Sequence, residues 1–240
     1  MLRWPEVAGV SFAPATLDEV RARAPNPVTS GATLDFKTLS PERGGLFDYR
    51  VFGPGTVIDS PMAADDAPHQ PRNVTFGRLV LARPLPHPLI GSRDPVERAA
   101  QLVSGPNSVL RELAVLPPDL RPLQRLDDDR WQSSSLNDLY RRVIQRNDRL
   151  AKLVEANTEP AQIVAEELAL HDALLALFDN EHQATPVLDS LGQPLGSLRW
   201  LGGDLEIGLR AFAADSGTAR ARKIDAVAFA MGFTLARTSI

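Results

Sequence analysis

Residues 136–178 decide the fold, and they read LNDLYRRVIQRNDRLAKLVEANTEPAQIVAEELALHDALLALF. No proline or glycine interrupts residues 136–153, and apolar residues recur there at helical spacing. The spacing predicts a helix over 136–153, and the serines at 133–135 offer hydroxyl groups for its N-cap. The apolar seam of this helix consists of Leu136, Leu139, Val143, Leu150 and Leu153.

A second helix is predicted from about residue 162 to residue 178, after a break over 157–160 that ends in a proline. Two long helices joined by a short loop pack as an antiparallel hairpin. Asn147 falls on the apolar seam of the first helix, where a polar side chain would fix the pairing register. His171 is expected on the hairpin surface. The second seam consists of Ile163, Leu170, Leu174 and Leu177.

The charges of this hairpin are segregated between its two helices. The first helix carries Arg141, Arg142, Arg146, Arg149 and Lys152, whereas residues 154–180 contain six acids and neither lysine nor arginine. The helices would then complement each other across their solvated edges, each exposed pair contributing about 0.2–1 kcal/mol. Alternatively, the first helix offers an arginine row to an acidic partner. The spacing of residues 142, 146 and 149 puts three arginines on one helix face, which suits both interpretations.

The composition excludes several classes of function. The chain has 240 residues, a net charge of −4 and no cysteine, and its pI is about 5.6. An acidic chain lacks the basic field that drives independent nucleic-acid binding, so we expect none that is strong. The absence of cysteine excludes disulfides and zinc ribbons. No apolar run is long enough for a membrane span and no signal-peptide pattern opens the chain, so we expect a cytoplasmic protein.

Prolines mark the organisation of the chain, since most of the 20 lie within residues 1–130. We therefore predict a strand- and loop-rich body over 1–130, with a strand at 75–83 and a loop at 54–73. The hairpin, residues 131–180, is inserted in this body, and residues 181–240 form a return segment and a tail.

The tail is predicted to end in a helix over 224–231, preceded by the basic residues Arg220, Arg222 and Lys223. We expect this helix to pack back onto the body. The predicted fold class is α+β: a loop- and strand-rich body, a projecting antiparallel two-helix hairpin and a C-terminal helix.

Several segments resemble one known family, the β′ subunit of bacterial RNA polymerase. Residues 115–123 (VLPPDLRPL) and 136–144 (LNDLYRRVI) resemble its lid and its clamp helices. Residues 38–47 (TLSPERGGLF) are similar to the stretch that leads to its zinc ribbon, and residues 193–198 (QPLGSL) to the segment beyond the clamp helices. The similar segments occur in the family's order.

The departures from the β′ pattern concern metal binding and catalysis. Asp48 stands where the family has a cysteine, and residues 54–73 replace its zinc-binding insertion. The family's magnesium-binding Asn-Ala-Asp-Phe-Asp-Gly-Asp motif is absent. Residues 127–129 are three consecutive aspartates, but adjacent side chains in a turn point apart, which favours a solvated loop. We therefore expect a protein that is not an enzyme and has neither a metal site nor a cofactor.

The resemblance implies a binding role, because the clamp helices of the family dock region 2 of σ factors and their tip receives NusG-type factors. The implied partner-binding residues are Arg142, Arg146, Arg149, Asn147 and Glu166. Three functions stay open: a clamp mimic that binds such a factor, an immunity or self-resistance decoy for a toxin or antibiotic aimed at RNA polymerase, and an accessory polymerase subunit. The sequence leaves the oligomeric state open.

Overall fold

The computed structural model describes residues 7–35, 37–38, 40–53, 75–90, 109–125 and 131–238. Its strands are β1 (Val10–Pro14), β2 (Asn26–Pro27), β3 (Leu34–Asp35), β4 (Ser40–Pro41), β5 (Gly77–Pro86), β6 (Val109–Val115), β7 (Leu123–Arg125), β8 (Trp131–Ser133) and β9 (Phe233–Arg237). Its helices are α1 (Leu17–Arg23), α2 (Tyr49–Phe52), α3 (Ser135–Glu155), α4 (Pro160–Asp179), α5 (Leu198–Gly202), α6 (Leu205–Ala214) and α7 (Ala219–Ala230). The predicted α+β class is confirmed.

Helices α3 and α4 form the predicted hairpin. Asn157 in the connection has φ 50°, a left-handed conformation that asparagine tolerates better than most residues. Pro160 begins α4, where its missing N–H removes no helical hydrogen bond. The predicted N-cap bond is wrong: Ser134 caps α3 without a side-chain bond, and the Ser133 hydroxyl accepts a bond from Asn137 Nδ2 at 3.1 Å. No described helix is both long and apolar enough to cross a membrane.

The hairpin packs against a three-stranded sheet with the strand order β2-β5-β6. The strand predicted at 75–83 is confirmed as β5, which runs on to Pro86 and pairs antiparallel with β6. Strand β2 pairs with β5 only at Gly77 and Arg78, so β2 leaves the next residues of that edge uncovered. Residues 54–73 and 127–129, for which loops were predicted, lie outside the described residues.

The last forty residues form more structure than the one predicted helix. Helix α7 begins at Ala219, five residues before the predicted start, and buries Ile224 and residues 226–230. Helix α6 and strand β9 were not predicted. Strand β9 pairs antiparallel with β1, from Phe233 opposite Pro14 to Arg237 opposite Val10. This pairing brings the two ends of the described chain into one sheet and confirms that the tail packs onto the body.

A buried arginine joins the body to the base of the hairpin. The Arg121 guanidinium is fully buried and donates to the Leu116 carbonyl at 2.8 Å, the Leu46 carbonyl at 2.6 Å and Asn137 Oδ1 at 2.7 Å. The rings of Phe47, Phe52 and Tyr140 lie 5.0–5.7 Å from its central carbon. Burial lowers the pKa of Arg121 to about 9, so the group is still charged at neutral pH. Three segments distant in sequence are therefore held by one cation.

Replacing Arg121 is expected to destabilise the whole fold. In Arg121→Lys a single ammonium group replaces the planar fork and leaves buried carbonyl oxygens without donors, which costs about 3 kcal/mol or more of unfolding free energy. Urea unfolding followed by circular dichroism measures the loss. Arg142→Lys, at an exposed position of α3, is the control and should change the unfolding free energy by less than about 0.5 kcal/mol. Equal midpoints for the two variants would show that Arg121 does not hold the core together.

His87 lies in the core as a neutral imidazole. Its Nε2 donates to the Met231 carbonyl at 2.8 Å, while Nδ1 accepts a bond from the Leu89 N–H at 3.2 Å. Phe178 and Phe233 cover the ring, with centroids 5.6 and 5.0 Å away. Burial lowers the pKa of His87 to about 4, against the opposing effect of the bond to Met231.

This depressed pKa predicts a loss of stability in mild acid. The unfolded chain takes up the His87 proton near pH 6.5 and the folded chain only near pH 4. Protonation therefore favours unfolding between these values, and about 2 kcal/mol of unfolding free energy should be lost between pH 7.5 and pH 5. Urea unfolding at both pH values measures this. His87→Gln keeps an amide donor but does not titrate, and it should lose about 2 kcal/mol less over the same interval; equal losses would contradict the assignment.

Candidate functional site

The predicted arginine row lies along the outer edge of α3. Side chains of Arg146 and Arg149 are 45% and 67% exposed. Arg146 Nη1 lies 3.1 Å from Glu166 Oε1, and Arg149 Nε lies 3.2 Å from Glu166 Oε2. One carboxylate thus orients two guanidinium groups. Arg142 is exposed and makes no ion pair within the described part of the chain.

Glu166, predicted to contact a partner, lies instead beneath the arginines. Its side chain is only 7% exposed, because α4 turns it toward α3. Complementary pairing between the helices therefore describes Glu166, and binding of an acidic partner by the arginines stays a prediction. Glu166 links the helices internally, while Arg146 and Arg149 keep much of their surface in solvent and Arg142 keeps its charge unpaired within the described residues.

Asn147 does not set the register between the two helices as predicted. It is 6% exposed and faces β5, where its Nδ2 donates to the Val80 carbonyl at 3.0 Å and its Oδ1 accepts from the Ala82 N–H at 2.8 Å. The side-chain amide thus replaces a neighbouring strand at the edge of β5 that β2 leaves uncovered. Arg83 Nη1 lies 2.9 Å from Glu167 Oε1 and adds a second link between β5 and the hairpin. Asn147 holds the hairpin on the body and offers little surface to a partner.

A groove runs along the arginine side of α3. Its first part, of about 490 Å³, lies between Arg142, Arg146 and Arg149 on one side and Gln183, Thr185 and Val187 on the other. Its second part, of about 570 Å³, continues past Arg142 and Gln145 to Asp138. Leu188, Asp189 and Ser190 bound this second part. The sequence drew attention to the arginines, but it held no signal that residues 183–190 would face them.

One group of the described residues has the composition of a metal site, namely Asp179, Glu181 and His182. Asp179 is already paired, its Oδ2 lying 3.0 Å from Arg199 Nη1 and its Oδ1 lying 2.7 Å from His182 Nδ1. Glu181 accepts bonds from the Ser197 N–H at 2.7 Å and the Ser197 hydroxyl at 2.6 Å. A cation here would displace these bonds and meet a guanidinium, so the cluster stabilises the start of α5.

Asp48, at a position where the resemblance to β′ implies a cysteine, has a structural role that sequence reasoning missed. It is buried, and its Oδ1 accepts from the Arg50 N–H at 2.9 Å at the start of α2. Its Oδ2 accepts from the Gly44 N–H at 2.7 Å. The carboxylate closes the turn by hydrogen bonds. His171, predicted on the surface, is buried in α4, which is a further correction.

Comparison with known proteins matches part of the chain to RNA polymerase. The family model described as RNA polymerase Rpb1, domain 1, matches residues 100–201. The DNA-directed RNA polymerase subunits β′ of Streptococcus pneumoniae strains Hungary19A-6 and CGSP14 are each 48% identical to this chain over 90 residues. In part of its length, this chain is similar to the RNA polymerase β′ subunit. The aligned residues are 38% of this chain and only 7% of each subunit.

The segment that matches the Rpb1 domain contains most of the candidate site. Residues 100–201 include Arg121, both hairpin helices and the groove residues 183–190. Helices α6 and α7 and strand β9 lie outside it. The match to the Rpb1 domain therefore covers the part of the chain that carries the arginine row and both walls of the groove.

Removing the Asn147 amide is expected to loosen the hairpin from the body. In Asn147→Ala the Val80 carbonyl and the Ala82 N–H lose their partner, which should lower the unfolding free energy by about 1–3 kcal/mol. Asn147→Asp should be at least as destabilising, because a carboxylate cannot donate to Val80. Gln145→Ala, two residues away at an exposed position, is the matched control. Urea unfolding compares the three variants, and a midpoint for Asn147→Ala equal to that of Gln145→Ala would disprove the anchoring role.

Proposed function

We propose that this chain is a non-catalytic β′-clamp mimic, which binds region 2 of a σ factor or a NusG-type factor and thereby modulates transcription. The observation that carries the proposal is the exposed row of Arg142, Arg146 and Arg149 on an anchored hairpin, within a segment related to β′. RNA polymerase provides the context, since the β′ relatives are its subunits.

We infer that the protein is not catalytic because its sequence lacks the magnesium-binding carboxylates of the β′ motif. Phosphoryl transfer needs clustered carboxylates that hold Mg²⁺ at the reacting phosphate. The β′ motif that supplies them is absent from the sequence. Among the described residues, the Asp179 group is occupied by bonds to Arg199 and Ser197. The chain instead presents a charged surface on its hairpin, which is suited to binding a partner.

The hairpin is suited to binding because its charged groups are held in place before a partner arrives. Glu166 orients Arg146 and Arg149, so less side-chain entropy is lost when they bind. Arg121 holds the base of α3 on the body, and Asn147 holds the middle of α3 on β5. The exposed arginines of α3 would also steer a partner of complementary charge toward this side of the hairpin.

The first test is capture of a factor from a lysate of the source organism. Immobilised parent protein should retain a σ factor or a NusG-type factor, identified by immunoblot, because its arginine row is accessible. The variant with Arg142, Arg146 and Arg149 all changed to glutamate should retain less than about a tenth as much, since charge reversal turns attraction into repulsion.

Two further variants distinguish a loss of binding from a loss of the fold. Arg142→Glu alone leaves both bonds to Glu166 intact and should still reduce retention severalfold. The control changes Arg220, Arg222 and Lys223 of α7 to glutamate, which is the same change of charge at exposed positions away from the hairpin. Equal retention by the control and the hairpin triple variant would contradict the proposal.

The same experiment separates the two alternative functions. Retention of polymerase β and α subunits together with the factor would favour an accessory polymerase subunit. Retention of neither factor nor polymerase would reject the clamp mimic, and a decoy for a toxin or antibiotic aimed at RNA polymerase would then be tested with those molecules directly.

A further inference from the structure

The groove beside α3 has two walls from separate parts of the chain, and only one of them carries the arginine row. Along α3 it extends from Asp138 to Arg149, a length of about 16 Å at the rise of an α-helix. That length matches about five residues of extended chain. Ala169, Ala173 and Ala176 of α4 line the first part, where their small side chains leave the space open.

The second wall is held rigidly by side-chain hydrogen bonds. Asn180 is fully buried, and its Nδ2 donates to the carbonyls of Val187 at 2.8 Å and Leu195 at 2.9 Å. Its Oδ1 accepts from the Val187 N–H at 2.8 Å. Asp189 Oδ1 accepts from the N–H groups of Leu191 and Gln193 and closes the following turn. The wall therefore has a defined position relative to α3 and keeps the groove open.

The chemistry of the groove specifies its occupant. Arg142 carries an unpaired charge within the described residues, and Arg146 and Arg149 share the single carboxylate of Glu166. In the first part of the groove these three arginines are balanced by only two carboxylates, Glu166 and Asp172, so positive charge is in excess there. In the second part Asp138 pairs with Arg141, and Asp189 closes the turn of its own wall. On the second wall Leu188 lines the groove and is 49% exposed. Guanidinium groups on one wall and an exposed leucine on the other fit an acidic segment with an apolar side chain.

We infer that the groove between α3 and residues 183–190 binds a short, extended, acidic segment of a partner protein, with an apolar side chain of that segment against Leu188. This inference deepens the proposed function and rests on it for the identity of the partner. It adds Gln183, Thr185 and Leu188 to the binding residues. The partner's carboxylates pair with Arg142 and with the free donors of Arg146 and Arg149.

The test uses two peptides and the full chain labelled with ¹⁵N. The acidic probe is acetyl-Asp-Glu-Leu-Glu-Asp-amide, and its neutral control is acetyl-Asn-Gln-Leu-Gln-Asn-amide. Nuclear magnetic resonance follows the Nε–H signals of the arginines and the backbone N–H signals of Gln183, Thr185 and Leu188. We expect saturable shifts on both walls with the acidic peptide, and at least tenfold weaker binding of the neutral one.

Three variants locate the peptide. Arg142→Glu should weaken binding of the acidic peptide about tenfold, and Leu188→Ser about threefold. Arg222→Glu, an exposed arginine of α7, should leave the affinity unchanged. Shifts confined to the arginines, or no saturable shift up to about 5 mM peptide, would overturn the inference.

The possible outcomes distinguish a failure of the groove inference from a failure of the proposed function. Peptide binding on both walls without capture of a σ or NusG-type factor supports the groove and rejects the proposed function. Factor capture that depends on the arginines, together with a peptide titration that fails, supports the proposed function and rejects the groove, because the factor then docks on the hairpin alone.

Discussion

The Arg121 guanidinium is the interaction on which the rest of the structure depends. A buried cation is unfavourable unless its donors are satisfied. Here the Leu46 and Leu116 carbonyls and the Asn137 amide oxygen accept its bonds, and aromatic rings surround it. These acceptors come from the amino-terminal body, the end of β6 and the first turns of α3. They must all be in place before the charge is stabilised, which couples folding of the body to placement of the hairpin.

The edge of β5 imposes the second constraint. A buried strand edge needs hydrogen-bond partners, and β2 is too short to supply them beyond Arg78. Asn147 satisfies two of these groups, so α3 is fixed on the sheet over its middle as well as at its base. The hairpin is therefore partly embedded, which distinguishes it from an arm that projects freely. The hairpin surface is therefore already ordered before a partner binds, which lowers the entropic cost of binding.

The charge pattern of the hairpin combines structural and exposed roles. Glu166 is nearly buried and stabilises the pairing of α3 with α4, whereas the arginines that bind it stay largely in solvent. A guanidinium group has several donors in a planar fork, so one internal bond leaves others for a partner. The same arginines consequently serve the hairpin and line the groove.

The sequence by itself determined the hairpin, its ends to within two residues, strand β5, the α+β class and the similarity to β′. Local periodicity, proline positions and motif identity need no tertiary information. Only the tertiary structure decided the roles of Asn147, Glu166 and Asp48, because helical spacing says which residues share a face and not what lies against it. The pairing of β9 with β1 and the groove formed by residues 183–190 also depend on contacts between distant segments. Such contacts leave no periodic trace in a single sequence.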